Sequence, residues 1–206
     1  EDAAVFTVTN SPDTPVGTAD TYTTAEDAPL VIAAPGVLDN DLDADNLTLP
    51  YNLGLTARNE EDITNGALTL NQDGSFTFTP TLNVNGTGSF TYRAWDPDDN
   101  RSAPATVTIN ITPVDDPPSD ILLSNTVVEE NAVLNTLIGT FTSTDPDGDT
   151  TFSYTFAEGE GSTDNASFTI SGDALMTNAA LDFETKDAYS IRVKSTDLTS
   201  LEFEKV

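Results

Sequence analysis

Apolar and polar residues alternate with period two along most of the chain. The alternation is clearest in Ser75-Phe76-Thr77-Phe78-Thr79, Ser89-Phe90-Thr91-Tyr92, Thr106-Val107-Thr108-Ile109-Asn110-Ile111, Phe152-Ser153-Tyr154-Thr155-Phe156 and Tyr189-Ser190-Ile191-Arg192-Val193. Successive side chains of a strand point to opposite faces, so each run predicts a half-buried strand whose Thr and Ser side meets water. Turn signals at Asn65-Gly66, Asp73-Gly74 and Gly172-Asp173 separate the runs, and no segment sustains an i, i+3, i+4 apolar stripe. The expectation is an all-β protein.

The order of features occurs twice, displaced by roughly a hundred residues. Glu26-Asp27 recurs as Glu130-Asn131, and Asp41, Asp43, Asp45 as Asp145, Asp147, Asp149. Asn65 to Leu70 recurs as Asp164 to Thr169, and Leu82-Asn83-Val84-Asn85 as Leu181-Asp182-Phe183-Glu184. Two homologous modules are expected, each an antiparallel Greek-key β-sandwich of about seven strands. They occupy residues 16–112 and 121–206, joined by the proline-rich acidic linker 113–120. Its three prolines, Pro113, Pro117 and Pro118, cannot extend a ladder, so the joint should be stiff, and the repeat argues against one large barrel.

Both ends carry a signal. Ala4-Val5-Phe6-Thr7-Val8-Thr9 followed by Asn10 to Pro15 has the character of Thr106 to Pro118, so residues 1–15 read as the closing strand and linker of a preceding module. The second module is expected to lack its last strand, because the chain reaches Val206 where that strand should begin. Unpaired edges invite pairing with other chains, so residues 4–9 of one molecule could complete the second module of another, giving head-to-tail self-association; equally, both ends could be arbitrary boundaries of the segment, or the closing strand could lie beyond a domain inserted after Val206.

Composition narrows the function. Thirty-five acidic against seven basic residues give a net charge of −28, which repels nucleic acid and anionic membranes and suits cations. With no cysteine and no histidine, disulfides, thiolate nucleophiles, imidazole bases and the usual zinc ligands are all missing. No apolar stretch approaches 18 residues, and the chain opens at Glu1 without a leader, so neither membrane insertion nor a signal peptide is expected within what reads as a piece of a longer protein. Paired carboxylates show no spacing that suggests a hydrolytic cleft, and no enzyme is expected.

The acidic runs fall on loops at one end of each module. Two carboxylates about 4 Å apart repel by about 4 kcal/mol at an effective dielectric of about 20, so three at i, i+2, i+4 need a compensating cation, and calcium takes six to eight such oxygens. An EF-hand is excluded by counting from Asp41 or Asp145: position six is Asn46 or Thr150 instead of Gly, and position twelve is Asn52 or Phe156 instead of Glu. Trp95, at a strand end beside Asp96, reads as interface packing before sugar stacking. The Asn-x-Ser/Thr triplets at Asn46, Asn85, Asn100, Asn110 and Asn165 read as chance in an Asn- and Thr-rich β protein.

The second module resembles a cadherin repeat. Val128-Glu129-Glu130-Asn131, Thr144-Asp145-Pro146-Asp147, Leu181-Asp182-Phe183-Glu184 (the family's Leu-Asp-Arg-Glu) and Val193-Lys194-Ser195-Thr196-Asp197 carry the likeness. The first module is similar to cadherin-like, immunoglobulin-like repeats of large bacterial surface adhesins, through Ala25-Glu26-Asp27, Val37 to Asp41 and Asn83 to Thr87. The resemblance implies calcium between consecutive repeats. Glu26, Asp115, Asp116, Asp145, Asp147 and Asp197 would share one interdomain site; Asp13, Asp41, Asp43 and Asp96 would face an upstream neighbour; Glu130, Asp182 and Glu184 would face a downstream one. Asn83 and Asn85 replace the family's Asp and Glu, which implies weaker binding at the joint.

The implied role is a calcium-stiffened, extracellular or cell-surface structural or adhesion module with neighbouring repeats of the same polypeptide as partners. Two other readings stay open: a carbohydrate-binding or homophilic adhesion module engaging a cell-surface glycan or protein, and an accessory module of a secreted polysaccharide-degrading enzyme.

Overall fold

The computed structural model describes residues 11–45, 54–60 and 62–206. The chain divides into two compact units, residues 1–114 and 115–206. The strand expected at residues 4–9 and the triplet at Asn46 lie outside the described residues.

Among the described residues of the first unit there are seven strands: β1 (Asp20–Ala25), β2 (Leu30–Ile32), β3 (Thr56–Asn59), β4 (Gly66–Leu70), β5 (Phe76–Pro80), β6 (Gly86–Trp95) and β7 (Ala105–Thr112). They form two sheets, ordered β1-β7-β6-β3 and β2-β5-β4. Alternation places Phe76 and Phe78 of β5, Phe90 and Tyr92 of β6, and Val107 and Ile109 of β7 between the sheets, each at most 1% exposed. Asp73-Gly74 turns β4 into β5. Gly74 has φ +83°, and a Cβ there would stand 1.9 Å from the Pro35 carbonyl oxygen, so the turn needs glycine.

One expectation is refined: the antiparallel sandwich also holds a parallel pair, β1 running beside β7 from Asp20 opposite Val107 to Ala25 opposite Thr112. A module that admits the chain at one end and releases it at the other must send its first and last strands the same way.

The second unit also has seven strands: β8 (Asp120–Leu123), β9 (Leu137–Thr144), β10 (Ser153–Phe156), β11 (Phe168–Ser171), β12 (Ala174–Thr177), β13 (Val193–Thr196) and β14 (Glu202–Lys205). Their sheets are ordered β11-β12-β9-β8 and β10-β13-β14. Here too an expectation changes: residues 202–205 already form the strand the second unit was expected to lack, paired antiparallel with β13. Among the described residues Tyr189 to Arg192, which alternate like a strand, join no ladder; β14 pairs with β13 from Glu202 opposite Thr196 to Lys205 opposite Val193. Leu175, the best shielded apolar residue of this core, keeps 3% exposure, whereas Phe78, Phe90 and Tyr92 of the first unit keep none.

Candidate functional site

Acidic residues collect at the ends of both units, and their hydrogen bonds show how each end is organised. At the start of the second unit the Asp116 N–H donates to Asp147 Oδ2 (2.7 Å), the Asp147 N–H donates to Asp145 Oδ1 (2.8 Å), and the Ser119 N–H donates to the Thr144 carbonyl. Asp197, just past β13, accepts the N–H groups of Thr199 and Leu201, and the Thr199 hydroxyl bonds Asp115. Burial alone would raise the Asp197 carboxyl, but these donors outweigh it and hold the group below the ordinary carboxylate range. Asp149 is pushed upward, by desolvation and then by the charges of Asp145, Asp115, Asp197 and Asp147. The structure therefore brings Asp115, Asp116, Asp145, Asp147 and Asp197 to one end of this unit.

Two oxygens there have no protein partner. Asp145 Oδ2 and Asp197 Oδ2 are buried without a hydrogen bond. A desolvated carboxylate oxygen without a donor is costly; these two sit among three further carboxylates, and among the described residues no Lys or Arg is ion-paired to Asp145 or Asp197. Hard oxygen donors in that number, from two loops and the linker, fit calcium.

The first unit repeats the arrangement at its own start, with a shift from the sequence reading. The Asp13 N–H donates to Asp45 Oδ2 (2.6 Å), the Asp45 N–H to Asp43 Oδ1 (3.1 Å), and the Val16 N–H to the Leu42 carbonyl. Asp96 accepts the N–H groups of Asp98 and Asn100 as Asp197 accepts those of Thr199 and Leu201. Asp43 and Asp45 are thus the counterparts of Asp145 and Asp147, two residues on from the pairing of Asp41 with Asp145 that the sequence favoured. The i, i+2, i+4 spacing is blind to a slip of two. Pro15 and Pro118, both buried ahead of the matching amides, are the signal that fixes the register.

Asp41 is instead an internal group. It is 1% exposed, accepts the Thr18 N–H (2.7 Å), and lies 2.9 Å from the Tyr92 hydroxyl. That hydroxyl has one proton and a shorter acceptor in the Val37 carbonyl at 2.6 Å, so Asp41 closes the network best as the protonated acid. Burial pushes Asp41 up to about 6; burial, with the charge of Asp41, pushes neighbouring Asp20 up to about 7. Tyr92 is raised by the same burial and by both carboxylates.

At the other ends the two units differ. In the second, Glu130, Asp182 and Glu184 each offer a carboxylate oxygen within 4.8 Å of the others, the one such trio among the described residues. In the first, Glu26 is 2% exposed and accepts the Val114 N–H (2.9 Å) and the Asn85 side-chain amide (3.4 Å). Amide donors thus meet the Glu26 charge where the second unit has two further carboxylates. Asn83→Asp together with Asn85→Glu should recreate a three-carboxylate group and add a calcium-binding event, read as a higher ion count in a calorimetric titration; an unchanged count would show that Glu26 cannot turn from Val114. Trp95 is held between guanidinium groups, Arg58 at 4.2 Å and Arg101 at 5.7 Å from its ring.

Two seven-stranded sandwiches in tandem, with carboxylates at their ends, define a pair of cadherin-type repeats. The chain belongs to the cadherin family: residues 12–113 match the bacterial cadherin-like domain and residues 124–204 the cadherin domain. No curated protein matches it. Among solved structures it is similar to human CDH23 EC21-23 (16% identity, TM-score 0.54, 94% of this chain and 67% of that one). It is also similar to mouse protocadherin-24 EC1-3 (20%, 0.54, 93% and 67%) and to PcdhgB3 EC1-4 (21%, 0.56, 94% and 48%). The chain spans 45% of the protocadherin gamma B2 EC3-6 chain and 38% of the EC1-5 chain. At these identities the likeness is one of fold. Cadherin domains are adhesion or structural modules, not enzymes, and typically bind calcium. Among the described residues no helix is long and apolar enough to cross a membrane.

Proposed function

We propose that this chain is a calcium-stiffened pair of repeats from a large extracellular, bacterial surface adhesin, holding a binding region away from the cell. The observation that carries the reading is the pair of buried, partnerless oxygens on Asp145 and Asp197 among Asp115, Asp116 and Asp147. Glu26 of the first unit completes the ligand set that the sequence resemblance implies, and Asp13, Asp43, Asp45 and Asp96 form the corresponding set toward an upstream repeat. Extracellular modules bind calcium at roughly 0.1–1 mM, so ten- to a hundredfold excess adds about 1.4–2.7 kcal/mol per site.

Calcium should accordingly raise the melting temperature by roughly 6–15 °C over chelator. It should also narrow the spread of interdomain angles in solution scattering. Identical melting and scattering profiles in calcium and in chelator would remove the proposal.

A further inference from the structure

Cations are scarce in this chain, and most of them are spoken for. Of its seven Lys and Arg side chains, Arg93, Lys186, Arg192, Lys194 and Lys205 are each ion-paired to a carboxylate. The other two, Arg58 and Arg101, are exposed and among the described residues have no ion pair, although the chain carries 35 acidic residues. Asp98 and Asp99 closely precede Arg101 in the chain, yet neither pairs with it. Both free guanidinium groups lie over the Trp95 ring, at 4.2 and 5.7 Å from its centre, and so within about 10 Å of each other. Trp95 keeps this place although its indole N–H is buried without an acceptor. Two like charges on one ring beside an unmet donor cost stability, and an external anion relieves the repulsion.

Strand pairing fixes the patch on the first unit. Across β3 and β6, Thr56 stands opposite Trp95 and Arg58 opposite Arg93, and Trp95 bridges to Arg101 beyond the end of β6. Arg93 is already committed, to Glu60 (3.0 Å) and to the Ser102 carbonyl (2.6 Å), which leaves Arg58 and Arg101 for a ligand. By alternation Thr91 shares the outer face with Arg93 and Trp95, and its partner Thr106 extends that face onto β7. Among the described residues no exposed large apolar side chain lies on β3, β6 or β7. A protein partner needs a desolvated apolar anchor, whereas a hydroxyl-bearing face with two planar cations matches a sugar that carries a carboxylate. The net charge of −28 repels polyanions, which selects a glycan whose carboxylates are isolated among neutral sugars. We propose that Arg58 and Arg101, held over Trp95, bind the carboxylate of an acidic glycan. The first unit thus grips a ligand itself, beyond its part in the tether, and the contact needs no calcium.

The test titrates the whole chain with a xylo-oligosaccharide bearing a single glucuronate and, separately, with sialyllactose. Binding is followed by the fluorescence of Trp95, the sole tryptophan. At least one of the two acidic sugars should bind, and at least tenfold more tightly than its neutral parent, the unsubstituted xylo-oligosaccharide or lactose; which one binds tells a uronate from a sialate. Arg58→Gln and Arg101→Gln should each weaken that binding at least tenfold, and Arg58→Lys should weaken it too, because an ammonium lacks the guanidinium fork. Should a variant lose stability, the comparison with the neutral parent on the unaltered chain still decides. Binding of neither acidic sugar, equal binding of the neutral parent, or full binding by folded arginine variants would overturn the proposal. Hexaglutamate binding as tightly as the acidic sugar would overturn it as well, by assigning the patch to an acidic protein.

Discussion

In chelator the first unit should be more stable at pH 5 than at pH 8, the reverse of what carboxylate ion pairs produce. Asp41 and Asp20 are raised to about 6 and about 7, above the unfolded value near 3.8. Between those limits the folded chain binds more protons than the unfolded one, so stability falls as pH rises, and the contribution is gone above pH 7. The roughly two-unit shift at Asp41 corresponds to about 3 kcal/mol. Asp20 is more exposed and contributes less. The sole tryptophan, Trp95, lies in this unit and reports on it alone. Its fluorescence should show a urea midpoint roughly 1–2 M lower at pH 8 than at pH 5. Asp41→Asn should flatten that dependence; if it does not, the Tyr92 network is not where the protons bind.

The second large effect concerns Asp145. Asp145→Asn keeps the shape and the Asp147 amide contact but removes a charge whose Oδ2 has no protein partner. Calcium affinity should drop at least tenfold, about 1.4 kcal/mol, while metal-free stability should stay level or improve, because a buried repulsion is relieved. Asp41→Asn should leave calcium affinity untouched. Equal losses from both substitutions would show that the sequence pairing of Asp41 with Asp145 was right and the hydrogen-bond correspondence wrong.

Much of the fold was legible because it depends on local alternation: β5, β6 and β7 fall where Phe76 to Phe78, Phe90 to Tyr92 and Thr106 to Ile111 placed them. Tyr189 to Arg192 carry the same signal without joining a ladder among the described residues, since alternation marks a face and not a partner. The direction of β1 was illegible for a related reason, being set by where the module must release the chain. At the ends, residue types announced carboxylate chemistry, and Asn83 and Asn85 were read as a weakening before the Asn85 amide was seen on Glu26. What sequence could not show was the fate of Asp41, decided by Tyr92 fifty-one residues away. Asp45 was passed over because the run offered three equivalent carboxylates, and the marker of the register, Pro15 matching Pro118, lies far from it along the chain.

The parallel seam between β1 and β7 bears on how such a tether fails under load. Tension enters the first unit through the lead into Asp20 and leaves through Thr112, so six registered residue pairs slide past one another together and must yield at once. Pulled from both ends, the first unit should resist through those six pairs together before it lengthens.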